Sequence, residues 1–423
     1  MFLAYRVLTI FLYPFLIIFI YYRKIIKKED PIRYKEKILV SHFKAKNKDN
    51  NKLIWFHAAS IGELKSIIPI IYQMNKKIEN LRFLVTTTTL SSGKLAVLEL
   101  EKLKNVEHRY FPFDVYFLID KFLILWKPDK IFLVDSEIWP NLILLARKHD
   151  IPIALINARL TERSFRRWMI FQNTAKRIFR VFNLFLCSNT QTKNYLEKLN
   201  LRNVYFKGNI KLIDEINHNE ISNINENFLL KKRFWFAAST HKNEDIFCFK
   251  THLKLKEKFP NITTIIAPRH IERAEKIKSL SESFNLRTQV LCKNEVILEN
   301  REIIIINYFG ALKDYFKFAK SVFIGKSLTK NFKENGGQNP IEAAKLKCKI
   351  YHGPYVGNFE EIYKILEDYK ISKKILNYKN LSENLIIDLE NPYKQNNKIS
   401  IPIEKLGQKT LIDTMKLVDN FIQ

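Results

Sequence analysis

Between residues 53 and 351, short runs of β-branched and aromatic residues alternate with amphipathic stretches, and this rhythm confines the chain to an α/β fold. Residues 53–56, 83–87, 131–134, 153–157 and 184–187 read as buried strands, with helical segments at 64–76, 141–148 and 165–180 among them. Near-continuous apolar strands joined by helices are the pattern of a parallel sheet covered on both faces. The rhythm restarts beyond residues 214–226, a polar stretch (DEINHNEISNINE) that reads as a linker. Residues 234–238, 263–267, 302–306, 322–324 and 349–351 form the second set of strands, with helices near 244–258, 272–284 and 340–346. The expectation is two Rossmann-like, doubly wound domains facing a cleft, at residues 24–213 and 231–423, joined by a linker at 214–230. Ligands of such sheets bind beyond the carboxyl ends of the strands.

Ahead of the first strand, residues 7–22 (VLTIFLYPFLIIFIYY) are uncharged and, extended by residues 2–5, about long enough to cross a bilayer. Arg23, Lys24, Lys27 and Lys28 follow at once, whereas only Arg6 precedes the run. A secretory signal carries its positive charge first and ends in small residues. Here Tyr21-Tyr22 are bulky, so residues 1–23 read as a retained single-pass anchor, either kinked at Pro14 or, as the alternative, lying in the interface. The flanking cations then place the rest of the chain on the cytoplasmic side. The excess of 71 basic over 43 acidic residues, a net charge of +28, points to anionic partners. Four scattered cysteines, with no C-x-x-C among them, indicate neither a disulfide scaffold nor a zinc ribbon. The histidines show no metal-binding spacing.

The chemistry-bearing residues cluster just after the expected strands. His57-Ala58-Ala59-Ser60-Ile61-Gly62-Glu63 follows the first, with Gly62 permitting a tight turn and Glu63 opening a helix. A carboxylate there is either a general base or a simple complement to the helix dipole. Asp135-Ser136-Glu137 brings a second carboxylate to the same rim, and Asn157-Ala158-Arg159 adds an amide and a guanidinium. In the second half, Ser239-Thr240-His241 and Pro268-Arg269-His270 end the first two strands. Near the end, Gly336-Gly337-Gln338-Asn339-Pro340-Ile341-Glu342 sets two glycines and a proline before a carboxylate. Glycines let the backbone approach a ligand, a helix start suits a phosphate, and Glu342 suits sugar hydroxyls. Residues 165–180 mix aromatics with Arg166, Arg167, Lys176, Arg177 and Arg180, which fits either a lipid-facing helix or a core helix with a solvated basic face.

Taken in order, the strings FHAASIGE, TTTTLSSG, SEIWPN, INARLTERS, KGNIK, ASTHKNE, APRH and GGQNPIE, then GPYVGNFEEI, resemble the 3-deoxy-D-manno-octulosonic acid (Kdo) transferases. The resemblance runs from the anchor to about residue 363. It implies a GT-B fold and an inverting transfer of Kdo from CMP-Kdo to a lipid A precursor, without a metal or other cofactor. It implies that Glu63 is the base taking the acceptor's hydroxyl proton, with Ser60 and Gly62 beside it and Glu137 and Arg159 lining the acceptor side. It assigns the donor to the second domain, through Thr240, His241, Arg269, His270, Gly336, Gly337, Asn339, Glu342 and Asn358, with Lys211 near the domain junction.

Two positions depart from the family pattern. Gln338 stands where a histidine is usual, and Lys326 follows Gly325 where a second glycine is usual. Lys326 therefore either contacts the donor's phosphate or carboxylate or points outward. The rival readings are a GT-B enzyme with another nucleotide sugar and a non-catalytic basic protein on the membrane. The carboxylates at the rim argue against a nucleic-acid partner, because they repel a phosphate backbone. An anionic inner-membrane surface remains the expected partner of the basic residues.

Overall fold

The structure is a computed structural model that describes residues 2–44, 51–214, 221–333, 336–391 and 400–423. It divides into two compact units, one of Met1–Asp214 with Leu406–Gln423 and one of Glu215–Lys405. The first holds a seven-stranded sheet of β1 (Lys52–His57), β2 (Leu81–Thr87), β3 (Val106–Tyr110), β4 (Lys130–Val134), β5 (Ile153–Ala158), β6 (Phe182–Cys187) and β7 (Val204–Phe206). Their order is β3-β2-β1-β4-β5-β6-β7, and all pairings are parallel. Side chains alternate across this sheet, as a pleated strand requires. Leu53 and Trp55 enter one core with Phe122 and Leu142, whereas Ile54 and Phe56 enter the other with Ile67 and Ile70.

The second unit repeats the plan with β8 (Phe234–Thr240), β9 (Thr263–Pro268), β10 (Thr288–Leu291), β11 (Ile303–Ile306), β12 (Ser321–Ile324), β13 (Lys349–His352) and β14 (Ser372–Lys374). Their order is β10-β11-β9-β8-β12-β13-β14, again parallel throughout. In each sheet the connection reverses direction beside the unit's first strand, between β1 and β4 and between β8 and β12. Such a switch point opens a crevice at the carboxyl ends of the two strands.

The expected strands all form, and the four that the sequence pattern misses are β3, β7, β10 and β14, the outermost strands of both sheets. Edge strands are short and half solvated, so VEHRY, TQVL and SKK lack the continuous apolar signature, and VYF is only three residues long. The expected helix at 165–180 is two helices, Glu162–Ile170 and Gln172–Phe179, broken at Phe171, whose ψ of 56° leaves the helical region. Part of the expected linker, residues 215–220, lies outside the described residues, and its end is already the helix Glu226–Lys231.

The second domain also ends earlier than residue 423. Within the helix Ile401–Ile422, residues from Leu406 onward belong to the first unit. Met415, Val418 and Ile422 join the core around Ile54 and Phe132, and Lys77 pairs with Asp419 at 3.0 Å. Gly407 admits this approach, since a Cβ there would lie 2.4 Å from the Leu212 carbonyl oxygen.

Candidate active site

At the first switch point, Ser60 caps the helix Ile61–Lys77 and accepts the Glu63 N–H. The Glu63 carboxylate folds back over the helix start. It accepts the Ala59 N–H at 2.8 Å and the Ser60 O–H at 2.8 Å. Burial, joined by the nearby Asp135 and Glu137 carboxylates, raises its pKa above the ordinary value against the opposing pull of those hydrogen bonds. Gly62 has no positive φ, and a Cβ on it would meet nothing within 4 Å, so the turn does not demand glycine.

Glu137 is held from two sides. The Trp139 indole N–H donates to it at 2.7 Å, and His57 Nε2 lies 3.2 Å away. His57 is fully buried at the end of β1, with its other nitrogen 2.9 Å from the Thr86 hydroxyl and its ring stacked on Phe111. Asp135 takes a left-handed φ of 60° and pairs with Lys211 at 2.7 Å, while its carbonyl accepts the Arg159 N–H. Lys211 thus belongs to this rim. Asn157 is also left-handed, at φ 53°, and its side chain accepts the Ile210 N–H. The expected residues Ser60, Gly62, Glu63, Glu137 and Arg159 therefore come together around β1, β4 and β5.

In the second unit, the loops after β8, β9 and β12 meet. The Arg269 N–H donates to the Thr240 carbonyl, and the Thr240 O–H donates to Asp245. The His241 ring lies against those of His270 and Phe332, and its pKa falls to about 4 because burial and the neighbouring Lys326, His270 and Arg273 disfavour the cation. Arg269 and His270 themselves are exposed. Sequence reasoning passed over Glu244 and Asp245. The Glu244 carboxylate accepts the backbone N–H groups of His241, Lys326, Ser327 and Leu328 at 2.7–3.2 Å, and Asp245 pairs with Arg273. The available signal was two adjacent acids opening a helix after a strand.

The glycine-rich loop differs from expectation in its cause. A Cβ on Gly336 would lie 2.2 Å from the Tyr355 carbonyl oxygen, so the protein's own backbone already requires glycine there. Gly337 has φ +81° and donates to the Lys326 carbonyl at 2.7 Å. The Asn358 N–H donates to the Gly336 carbonyl, which ties residues 355–358 to the same loop. The helix that follows is only Ile341–Lys345, and its first N–H is taken by the Asn339 side chain. That leaves less of a phosphate cradle than the sequence implied. Glu342 lies 3.7 Å from the Lys313 ammonium and is partly exposed. Gln338 offers its carbonyl to the Tyr363 hydroxyl at 3.0 Å.

Comparison with known proteins identifies the assembly. The family model of 3-deoxy-D-manno-octulosonic-acid transferase (kdotransferase) matches residues 33–213. A 3-deoxy-D-manno-octulosonic acid transferase of Haemophilus influenzae is 30% identical over 323 residues, covering 74% of this chain and 73% of its own. The chain belongs to the Kdo transferase family. A 3-deoxy-D-manno-octulosonic acid transferase of Rickettsia bellii is 29% identical over 424 residues, 99% of both chains. Among solved structures, a UDP-GlcNAc 2-epimerase from Neisseria meningitidis superposes with a TM-score of 0.58 at 14% identity, over 87% of this chain and 100% of its own. The Anabaena protein Alr3699/HepE gives 0.54 at 12% identity, over 88% and 99%. These likenesses establish the GT-B class of fold. The enzyme is accordingly a glycosyltransferase of the Kdo type.

Proposed function

We propose that this Kdo transferase moves Kdo from CMP-Kdo to a lipid A precursor, lipid IVA, with inversion at the anomeric carbon. Glu63 takes the proton from an acceptor sugar hydroxyl as that oxygen bonds to the anomeric carbon, and the bond to CMP breaks with its electrons on the phosphate oxygen. The observation that carries this reading is the setting of Glu63. It is partly buried near two other carboxylates, its pKa is raised, and only one N–H and one O–H of the protein reach its carboxylate. A raised pKa makes the ionised carboxylate a stronger base.

Glu137, fixed by Trp139 and His57, and Arg159 line the acceptor side. In the second unit, Thr240, His241, Arg269, His270, Gly336, Gly337, Asn339, Glu342 and Asn358 form the CMP-Kdo site. Their chemistry suits the donor, since the Arg269 cation complements its phosphate and carboxylate and Glu342 complements hydroxyls. No metal is required where fixed donors and cations meet the developing charge. The apolar helix Phe2–Ile25 attaches the enzyme to the inner membrane, with both units on the cytoplasmic side.

Mass spectrometry of the lipids after incubation with lipid IVA and a CMP-Kdo supply tests the reading. The expected product is lipid IVA carrying added Kdo. An unmodified acceptor, with turnover of another nucleotide sugar under the same conditions, would sink it.

A further inference from the structure

The helix Phe2–Ile25 is long enough to cross a bilayer, yet it lies along the first unit for its whole length. Phe2, Tyr13 and Leu16 pack on the main core of that unit, and Ile20, 2% exposed, packs with Tyr34 and Ile38. The spacing 2, 5–6, 9, 13, 16–17 and 20 is one helical stripe. Polar ties run down the same stripe. The Tyr5 hydroxyl donates to the buried Asp114 carboxylate at 3.0 Å, and the Asn141 amide donates to the Thr9 hydroxyl at 3.3 Å. The Tyr13 hydroxyl donates to the Ile38 carbonyl at 2.6 Å, and the Arg6 guanidinium stacks 3.7 Å over the Tyr116 ring.

A helix of 24 residues spans about 36 Å, so crossing the hydrocarbon would carry Phe2 a full bilayer away from Arg177, whose guanidinium now lies 5.2 Å from its ring. Crossing would also strip Tyr5, Arg6 and Thr9 of these partners and leave them in lipid, where polar groups are costly. The opposite face is apolar and exposed, with Leu3, Val7, Phe11, Phe15 and Ile18 among its residues. Where the basic helices break, Ile170 and Phe171 are also exposed, flanked by exposed Arg167, Arg177 and Arg180. Exposed Lys27 and Lys28 stand at the other end of the long helix. An apolar face with cations at both ends complements an anionic lipid surface.

We infer that this helix lies in the plane of the membrane, its outer face sunk among the lipids and its inner face fixed to the catalytic unit. The occupant of the exposed face is an anionic phospholipid leaflet. This rests on the membrane part of the proposed function but replaces a crossing anchor with a one-sided one. The acceptor's home surface and the Glu63 unit are thereby held in fixed orientation.

Cross-linking in native inner membranes tests the geometry. In a Cys292→Ser background, Phe2→Cys with Arg177→Cys should be joined within one chain by a short bis-maleimide. The yield should be at least about tenfold that of Leu3→Cys with Arg177→Cys, because Leu3 faces outward; a lipid-crossing helix joins neither pair, and that result overturns the inference. Joining between two chains would overturn it too, by assigning the face to a second copy. A protease site placed before Met1 should be cut in inside-out vesicles, and cutting only in right-side-out vesicles means crossing. Purified protein should bind phosphatidylglycerol vesicles at least about tenfold more tightly than phosphatidylcholine ones, and Ile170→Asp with Phe171→Asp should weaken that binding. Equal binding to both lipids would remove the anionic leaflet as occupant. Protein that washes from membranes without detergent would refute membrane attachment itself, whereas Kdo transfer to detergent-dispersed acceptor reports separately on the enzyme reading.

Discussion

Glu63 and Glu244 occupy corresponding places in the two units, each in the first turn of the helix that follows the unit's first strand, at its switch point. Their surroundings differ. Glu63 accepts one N–H and one O–H. Glu244 accepts four backbone N–H groups, and Gly325 packs so closely that a Cβ there would lie 2.7 Å from its carboxylate oxygen. One carboxylate keeps lone pairs that no protein N–H claims in full, and the other clamps the loop after β12. Position in a doubly wound sheet therefore nominates a residue, and the surrounding donors decide whether it does chemistry or holds backbone.

The largest effect that breaks this symmetry is expected at Glu63→Gln. The amide cannot accept the hydroxyl proton, so turnover should fall about 10²–10⁴-fold. Burial raises the folded-state pKa of Glu63, so its ionised form is held at a cost that grows as pH rises from the ordinary carboxyl value through the raised one. The neutral amide escapes that cost but accepts one hydrogen bond fewer, so the melting temperature should stay close to wild type. In the wild type, kcat/KM should drop as pH falls through the raised Glu63 pKa, at a higher pH than an ordinary carboxyl would give. Turnover above about a tenth of wild type in the Gln variant would move the base to Glu137 or His57.

Glu244→Gln should behave in the opposite sense. Removing the charge that gathers four N–H donors leaves backbone groups unsatisfied, a loss of about 1.5–3 kcal/mol in stability. Denaturant unfolding reads the loss directly. CMP affinity of the folded fraction should weaken because the Lys326–Leu328 loop loosens. A variant with normal stability and a catalytic defect as deep as that of Glu63→Gln would mean that Glu244, too, is chemical.

Gly62→Ala sharpens the contrast at intermediate size. No protein atom opposes the added methyl, and alanine in a helix should raise stability by about 0.5–1 kcal/mol. If the acceptor fills that space, kcat/KM should fall at least about tenfold, equivalent to about 1.4 kcal/mol. A variant that is both more stable and fully active would show the space to be idle.

The sequence made the buried architecture legible because central strands of a parallel sheet are continuous apolar runs, as in β8 and β11. It concealed the edge strands, whose composition is set by half-solvated packing. At the candidate sites, the acids after β1 and β4 were legible because each follows directly on a continuous apolar strand. Glu244 was not, because its partners are backbone N–H groups up to 84 residues away that carry no sequence mark. The packing demand on Gly336 was hidden for the same reason, since it answers to the Tyr355 carbonyl and no residue type at 355 announces it. The return of residues 406–423 to the first unit was hidden as well, because an amphipathic helix does not say which sheet it will cover.

The smallest effect is expected at Lys326→Gly, which tests the clamp without touching its acid. Lys326 holds φ +61°, a conformation that costs an L-residue about 1–2 kcal/mol, and this explains why glycine suits the position. Glycine gives back about 0.4–1 kcal/mol through the greater freedom of the unfolded chain, which leaves a net gain of about 0.5–1 kcal/mol. The residue's N–H reaches Glu244 and its carbonyl receives the Gly337 N–H, so both backbone groups serve the clamp whatever the side chain is. The ammonium rests 5.8 Å from the Phe332 ring centre, within the loop cluster. CMP affinity, measured by calorimetric titration, should therefore stay within about twofold while the unfolding midpoint rises. A tenfold weaker affinity, about 1.4 kcal/mol, with no gain in stability would instead make Lys326 a donor-binding cation. The second unit would then hold its ligand with a side chain absent from the usual family pattern, as well as with its clamped backbone.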